Sequence, residues 1–445
     1  MTVVLFILGV LVVVVGVVLS IALHEVGHLV PAKLFGVRVT QYMIGFGRTV
    51  FSVRRGETEY GVKLIPAGGY IAMIGMYPPA REDGRVRAST TGVFQSMADD
   101  ARRASAAELQ PGDENRMFYR LPVWKRIVIM LGGPTMNLLI GTVLIGVLLM
   151  GFGTAQPTTT VGSLSQCVVT AAQQQRTGQT SCLSTDKPSP AVAAKLQPGD
   201  TIVGFGGTDV TSWNQLTGLI RDSAGKTVPI VVERHGARVN STITPVINDV
   251  SVLDAKGQPV RDGNGTVQTT RAGFVGIGPT QAMVPQPVTE VLPTVGQNVG
   301  AVVGVVLHLP QRMVEVGQAA FTSAPRDPNG PMSVVGVGRI AGEVAATDQI
   351  DVKSKVAGLI GLVGSVNIAL FVFNLIPLLP LDGGHVAGAL WEAIRRGFAR
   401  VFKRRDPGPV DIAKLMPVTY VVAGLLLVMG ALLIFADIVK PVNLF

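Results

Sequence analysis

A run of apolar residues that ends in a charged motif constrains this chain most. Residues Val3 to Leu23 are almost all apolar and are long enough to cross a bilayer as one helix. The motif His24-Glu25-Val26-Gly27-His28 follows directly. On a helix, histidines four residues apart share one face, so both rings can reach one metal ion while Glu25 lies beside them. We predict a metal site inside a membrane helix, because ionisable side chains at that depth are costly and usually functional.

A catalytic zinc site needs a third protein ligand, and the chain offers a candidate late in the sequence. Prolines interrupt the apolar run Asn374 to His385, NLIPLLPLDGGH, and a broken helix is tolerated at membrane depth where it lines a cavity. Asp382 follows this break and is the predicted third ligand, because zinc accepts carboxylate oxygen readily. The alternative is that Asp382 only caps a helix that begins near Val386. His385 is expected to contact the ligand residues without binding the metal ion itself.

The composition indicates an integral membrane protein with a soluble part. Of the 445 residues, 48% are hydrophobic and 15% are charged, and the length exceeds that of one ordinary domain. The formal charge of +9 does not indicate nucleic-acid binding, because the basic residues cluster beside apolar segments, as in cytoplasmic loops. Cys167 and Cys182 lie in the segment that this bias places outside the cytoplasm, where a disulfide and two free thiols are both compatible.

Short alternating runs with glycines replace the helical pattern after residue 36. Residues 50–54 and 59–63 predict the two strands of a hairpin around Arg55-Gly56-Glu57. The segment Lys63, Leu64, Ile65 could offer a sheet edge to which an extended peptide pairs. A small sheet with a purely structural role is the alternative.

A soluble domain interrupts the apolar segments between residues 158 and 250. The run LQPGDTIV at 196–203 predicts a turn and a strand, residues 213–221 predict a helix, and residues 228–233 and 239–244 predict closing strands. This pattern resembles a PDZ domain of the bacterial, circularly permuted type, which adds a peptide strand to a sheet edge. An unspecialised small α+β domain is the alternative.

These segments predict a polytopic α-helical membrane protein with about four transmembrane helices, a membrane-associated β-hairpin sheet and one inserted α+β PDZ-like domain. The N-terminus and the PDZ-like domain are expected outside the cytoplasm, and the metal site near the cytoplasmic side. The predicted boundaries are 1–36 for the first transmembrane helix, 37–76 for the hairpin region, 77–122 for a cytoplasmic loop, 123–152 for the second transmembrane helix, 158–250 for the PDZ-like domain, 251–353 for an extracytoplasmic linker with an amphipathic segment, 354–385 for the third transmembrane helix, 386–415 for a basic cytoplasmic loop and 416–440 for the fourth transmembrane helix.

The pairing of HEVGH with NLIPLLPLDGG resembles the site-2 protease family of intramembrane zinc metalloproteases over nearly the whole chain. The single PDZ-like insert is similar to the bacterial regulator-of-sigma-E protease branch, especially its actinobacterial members. The resemblance implies Zn²⁺ held by His24, His28 and Asp382, with Glu25 as general base. For substrate binding it implies Asn374, Asn137 and a strand that includes Lys63, Leu64, Ile65, Gly68 and Gly69.

The same resemblance implies a plasma-membrane enzyme that cleaves single-span membrane proteins. Its expected substrates are anti-sigma factors, after a first cut outside the cell, and signal-peptide remnants. Two roles stay open for its PDZ-like domain: it binds peptide C-termini, or it only blocks intact substrates. A non-catalytic membrane scaffold is the first rival, but loss of Glu25 or Asp382 would have favoured it, and both are present. A metal transporter is the second rival, and it would need polar residues along several spans. We therefore predict a peptidase.

Overall fold

The computed structural model describes residues 2–78, 109–169, 181–183, 186–252, 260, 262, 268–327 and 330–442. The chain divides into two compact units, Met1–Phe152 with Gln286–Phe445, and Gly153–Pro285. Most of the predicted cytoplasmic loop, residues 79–108, lies outside the described residues.

The first unit consists of helices and one long hairpin. Its elements are α1 (Thr2–Leu34), β1 (Val39–Arg55), β2 (Thr58–Met73), α2 (Val123–Val147, continued by a π-helical turn Leu148–Phe152), α5 (Val291–Leu307), α6 (Leu309–Phe321), α7 (Val334–Ala346), α8 (Val352–Asn374), α9 (Asp382–Val401) and α10 (Met416–Val439). Short 3₁₀ turns at Phe118–Arg120, Val288–Glu290 and Ile412–Leu415 precede α2, α5 and α10.

Five helical segments of the described chain are long and apolar enough to cross a membrane. They are Thr2–Leu34, Val123–Phe152, Val288–Leu307, Val352–Asn374 and Ile412–Val439. The chain is thus a multi-pass membrane protein, as predicted. Four of these segments match the predicted spans, and Val288–Leu307 is a further candidate within the predicted linker.

The predicted third transmembrane helix and the basic loop after it have different bounds in the structure, and the predicted linker with its amphipathic segment contains three helices. The predicted third transmembrane helix ends at Asn374, and the chain turns through residues 375–381 before α9 begins. The predicted basic loop 386–415 therefore consists largely of helix α9. The predicted linker 251–353 likewise contains helices α5, α6 and α7.

The hairpin forms where it was predicted, around Gly56, and both strands are longer than predicted. Arg55 pairs with Thr58 across the turn, and Gly56 has a φ of +64° that favours glycine. The glycine-aromatic segment Ile44 to Gly47 lies inside β1, where Gly45 and Gly47 also have positive φ and bend the strand.

Because both strands bend, the beginning of β1 has neighbours on two sides. Gln41 to Ile44 pair with Glu59 to Val62 on one side and with Gly69 to Ala72 on the other. This arrangement returns the end of β2 toward helix α1, and it determines which residues of the hairpin reach the metal-binding motif.

Helix α1 makes its closest contact with α2 through two glycines. A Cβ atom on Gly132 would lie 1.9 Å from the carbonyl oxygen of Gly27, and one on Gly27 would lie 2.3 Å from that of Gly132. Small residues allow such close backbone approach between membrane helices. Asn367 on α8 adds a polar contact, because its amide donates a hydrogen bond to the hydroxyl of Ser20, 2.9 Å away. These contacts hold the motif of α1 against α2 and α8.

The second unit is an α+β domain. Its elements are β3 (Thr154–Leu164), α3 (Pro190–Ala193), β4 (Thr201–Phe205), β5 (Thr208–Asp209), α4 (Trp213–Asp222), β6 (Val228–Arg234), β7 (Ala237–Ile243), β8 (Val246–Ser251), β9 (Thr269–Phe274) and β10 (Ile277–Val284). The main sheet has the order β10-β3-β4-β6-β7, with β5 beside β4, and β8 pairs with β9. Ile202, Phe205, Leu216 and Ile230 fill its core. Cys167 and Cys182 form a disulfide, which settles the alternative that the sequence left open.

Candidate metal centre

The metal-binding motif lies near the end of α1, on the side that faces α2 and the start of α9. Glu25 and His28 are buried, and His24 is largely covered. Because His24 and His28 are one helical turn apart, their Nε2 atoms come within 3.2 Å of each other. The two imidazoles therefore point at one place, as the spacing of the motif predicts.

Asp382 completes a set of three possible metal ligands. Its Oδ2 atom lies 3.4 Å from Nε2 of His24 and 3.4 Å from Nε2 of His28. The ligand atoms of the three residues all lie within 4.8 Å of one another. Asp382 Oδ2 is buried and accepts no hydrogen bond, so its acceptor capacity is left for a cation between the three side chains. Asp382 is the first residue of α9, and its side chain makes no capping hydrogen bond to the helix. The alternative prediction, that Asp382 only caps a helix, is therefore not supported.

The turn that delivers Asp382 depends on the two glycines that follow it. A Cβ atom on Gly383 would lie 2.3 Å from the carbonyl oxygen of Ile376, and one on Gly384 would lie 2.6 Å from the backbone nitrogen of Leu379. Side chains there would push α9 away from the segment that follows α8. The glycines of the LDGG sequence thus allow Asp382 to approach the histidines.

Gly133 on α2 leaves the space that an ion would occupy. A Cβ atom on Gly133 would lie 2.3 Å from His28 Nε2 and 2.6 Å from His24 Nε2. Both are the nitrogens that face Asp382. A side chain at this position would compete directly with a metal for the same volume.

Helix α2 also supplies the groups that orient both imidazoles. His28 Nδ1 lies 2.7 Å from the carbonyl oxygen of Ile129, so the Nδ1–H donates there and Nε2 keeps its lone pair. His24 Nδ1 lies 3.0 Å from the amide nitrogen of Asn137. Asn137, predicted near the substrate, therefore touches a predicted ligand.

Glu25 lies between the histidines and the returning end of β2. A Cβ atom on Gly69 would lie 2.8 Å from Glu25 Cγ and 3.2 Å from Glu25 Oε1. Among the predicted substrate-strand residues, Gly69 is thus beside the carboxylate. Its neighbour Gly68 packs against the ring of Phe46.

The other predicted substrate residues lie further along the hairpin or at a helix end. Lys63 pairs with Thr49, Ile65 pairs with Phe46, and Leu64 and Ile65 are exposed. Asn374 is the last residue of α8 and is half-buried. His385 is also half-buried, and its Nδ1 atom makes no hydrogen bond.

Sequence reasoning missed two contributors to this centre. The carbonyl oxygen of Ile129 belongs to the main chain, so the residue type at this position does not predict its contact with His28. Gly133 lies in the run GGPTMN, whose residues alone left helix packing and a role near the metal equally open. The signal available was its composition: small residues and one asparagine opposite a histidine-bearing helix.

Three donors that converge between apolar membrane helices, with a carboxylate beside them, define the class: a membrane-embedded metallopeptidase. The family model described as Peptidase family M50 matches residues 12–405. The chain therefore belongs to peptidase family M50, the site-2 proteases, which confirms the resemblance seen in the sequence.

Three curated relatives are similar to this chain over 84% to 99% of its length. The zinc metalloprotease Rip1 of Mycobacterium tuberculosis strain H37Rv is 33% identical, and the match covers 99% of each chain. Rip1 of Mycolicibacterium smegmatis is 31% identical over 98% of this chain and 99% of the relative. The zinc metalloprotease RasP of Bacillus licheniformis is 25% identical over 84% of this chain and 87% of the relative.

Proposed function

We propose that this chain is a zinc-dependent intramembrane endopeptidase that cleaves single-span membrane proteins. The position of Asp382 Oδ2, 3.4 Å from both histidine Nε2 atoms, carries the proposal. Two imidazoles and one carboxylate form a donor set that binds zinc and leaves a position open for water. The relatives named zinc metalloproteases support zinc as the metal.

His24, His28 and Asp382 would hold the zinc ion. When bound, zinc supplies Lewis-acid polarisation of a peptide carbonyl and lowers the pKa of a water molecule from about 15.7 to about 7. Glu25 takes the proton from the attacking water on its carboxylate, then donates it to the departing amide nitrogen. Burial of Glu25 among helix and strand backbone keeps bulk water away from this transfer.

The substrate segment has to be extended before its carbonyl can be attacked, because a helix hydrogen-bonds its own amides. We propose that it pairs with the strand that runs from Lys63 to Gly69, since Gly69 lies beside Glu25. Asn374 is proposed to contact the same segment from the end of α8.

We propose anti-sigma factors, shortened first outside the cell, as the main substrates and signal-peptide remnants as further ones. The N-terminus and the second unit would lie outside the cytoplasm, and the metal centre near its inner side. The basic residues near the start of α2 and the end of α9 support this orientation in the plasma membrane.

The second unit is proposed to act as a PDZ-like module that binds peptide C-termini. Helix α4 and the segment Gly273 to Ile277 border a cavity of about 110 Å³, with Trp213, Thr217 and Ile220 along the helix side. Among the described strands β10 is at the edge of its sheet, so its outer side could take an added peptide strand.

The test is cleavage of a single-span anti-sigma-factor fragment, its outer domain removed, by the full chain in detergent. Wild type, Glu25→Gln and Asp382→Asn would be compared, with zinc measured in each protein. We expect cleavage by wild type only, with zinc retained in Glu25→Gln and lost in Asp382→Asn.

Glu343→Gln is the matched control, because this carboxyl lies on α7 and is paired with Arg339 rather than with the metal centre. It should keep both zinc and activity. Cleavage by Glu25→Gln at the wild-type rate would overturn the assignment of the general base.

A further inference from the structure

Helix α9 carries an apolar stripe that the described part of the chain leaves largely exposed. The stripe consists of Leu390, Trp391, Ile394, Phe398, Val401 and Phe402, each 49% to 76% exposed. At about 100° per residue these positions fall within one third of the helix circumference. The opposite side, with Ala389, Glu392 and Ala399, is buried against the protein. The stripe is therefore a second face of the helix and not its packing face.

A buried ion pair fixes the packing face. Glu392 has no exposed surface, and its Oε1 accepts a hydrogen bond of 2.5 Å from Arg126 at the start of α2. Its Oε2 accepts the backbone N–H of Val410 at 2.9 Å. These contacts set the rotation of α9 about its axis, and so they decide that the stripe points outward.

Basic residues cluster at the C-terminal end of the stripe. Arg400, Lys403, Arg404 and Arg405 are all exposed at the end of the helix and just beyond it. The described chain has no acidic residue between Asp382 and Asp406 apart from the buried Glu392. An apolar face with cations at its C-terminal end fits an anionic bilayer surface, where the rings enter the interface and the cations meet headgroups.

The connections of α9 place it at a membrane boundary. The helix joins the end of one candidate span, at Asn374, to the start of the next, at Ile412. Both ends of the connection must lie at the same side of the bilayer. Helix α9 itself is not among the candidate spans, because it contains too many charged residues.

We propose that residues 390–405 are a membrane-surface element that binds anionic phospholipid, with the stripe in the interface and the four cations on the headgroups. The proposal extends beyond the catalytic function and does not depend on it.

The test uses Trp391 as a reporter in the full chain. The sequence has three tryptophans, so Trp124→Phe with Trp213→Phe leaves Trp391 alone. The protein is placed in phosphatidylcholine vesicles that contain acyl-chain-brominated phosphatidylcholine, with or without phosphatidylglycerol. We expect brominated lipid to quench Trp391, more strongly with phosphatidylglycerol, and aqueous acrylamide to quench it weakly.

Removal of three cations should abolish the effect of the anionic lipid. Each cation near an anionic surface favours the bound form by about fivefold, so Arg400→Gln/Arg404→Gln/Arg405→Gln should remove most of the added quenching. The matched control, Lys187→Gln/Lys226→Gln/Arg238→Gln, removes three exposed cations of the second unit and should change nothing. Equal thermal unfolding temperatures of both variants in detergent check that each is folded.

Three outcomes would overturn the proposal. Strong acrylamide quenching without lipid quenching would put the stripe in water. Protection from both quenchers would mean that protein, such as a second copy of the chain, covers it. Lipid quenching that is the same with and without phosphatidylglycerol, and the same in the triple variant, would show that the stripe enters the bilayer without binding anionic headgroups.

Discussion

The Nδ1 atom of His24 lies 3.0 Å from the side-chain nitrogen of Asn137. A histidine that binds zinc through Nε2 carries its proton on Nδ1, and that proton needs an acceptor. The Oδ1 atom of Asn137 is buried without a hydrogen-bond partner, and turning the amide by 180° would bring it to this position. Asn137 thus has the group that the zinc-bound tautomer requires.

Asn137→Ala should therefore weaken zinc binding about 10- to 100-fold, the usual cost of losing a partner of a ligating histidine. A competition titration with a zinc-sensitive dye measures this directly. Asn137→Asp keeps an acceptor oxygen and should restore most of the affinity. Asn367→Ala removes a buried asparagine that bonds Ser20 instead, so its zinc affinity should stay at the wild-type value. Equal losses in both alanine variants would contradict the role given to Asn137.

Gly133→Ala should expel the metal while the helices stay together. The new methyl group would overlap the Nε2 atoms of His24 and His28, and such overpacking costs about 1–3 kcal/mol. If this strain falls on the zinc-bound state, affinity drops by about tenfold or more. Gly430→Ala, where nothing lies within 4 Å of the added atom, is the control and should bind zinc normally. Unchanged zinc content in Gly133→Ala would show that the ion lies elsewhere.

Glu392→Gln should destabilise the first unit strongly. It leaves the guanidinium of Arg126 buried beside a neutral amide, and breaking a buried pair costs about 3–5 kcal/mol. Thermal unfolding in detergent should show the loss, whereas Glu343→Gln, in a partly exposed pair, should cost about 0.3–0.5 kcal/mol. Arg126→Met/Glu392→Leu should recover much of the stability, because an apolar pair needs no partner charge. Failure of the double variant to recover would point to the Val410 contact instead.

Acid should loosen the second unit through Asp200. The guanidinium of Arg234, 2.7 Å from both carboxylate oxygens, holds the pKa of Asp200 below its usual value. The folded state therefore gains stability from this group above the unfolded pKa of about 3.9. That gain is lost as the pH falls through the lower folded pKa.

Hydrogen exchange of β4 and β6 in the full chain, followed from neutral pH downward, measures the effect of Asp200. Protection should fall only below pH of about 4. Asp200→Asn should lower protection at neutral pH and flatten the pH dependence. Asp209→Asn, an exposed carboxyl of the same unit, should behave as wild type. A wild-type profile in Asp200→Asn would exclude the ion pair as the cause.

Much of the site could be predicted from the sequence because its side chains are ionisable residues in apolar surroundings. His24, His28 and Asp382 stood out for that reason, and the structure brings them together. Ile129 could not be found, since its contribution is a carbonyl oxygen whose direction depends on how α2 crosses α1 at Gly27 and Gly132. Such a crossing is set by packing and leaves no pattern in either helix alone.

The fold was predictable where one pattern dominated and was missed where two overlapped. Helix α9 was expected to be a loop because its arginines resemble those of cytoplasmic loops. The spacing of Leu390, Ile394 and Phe398 was a helical signal, but apolar residues beside a charge cluster were assigned to the loop.

The first and last strands of the inserted unit are partners, and Thr154 pairs with Val284. In the helical unit, the backbone N–H of Gln286 donates a hydrogen bond to the carbonyl oxygen of Leu149. The chain therefore returns from the insert to the end of the helix from which it left. The chain therefore enters and leaves the inserted unit through two paired strands. A lineage could lengthen, duplicate or exchange the outer module without re-registering α2 against its neighbours. The inserted unit and the metal-binding helices can in this way diverge at different rates within one gene.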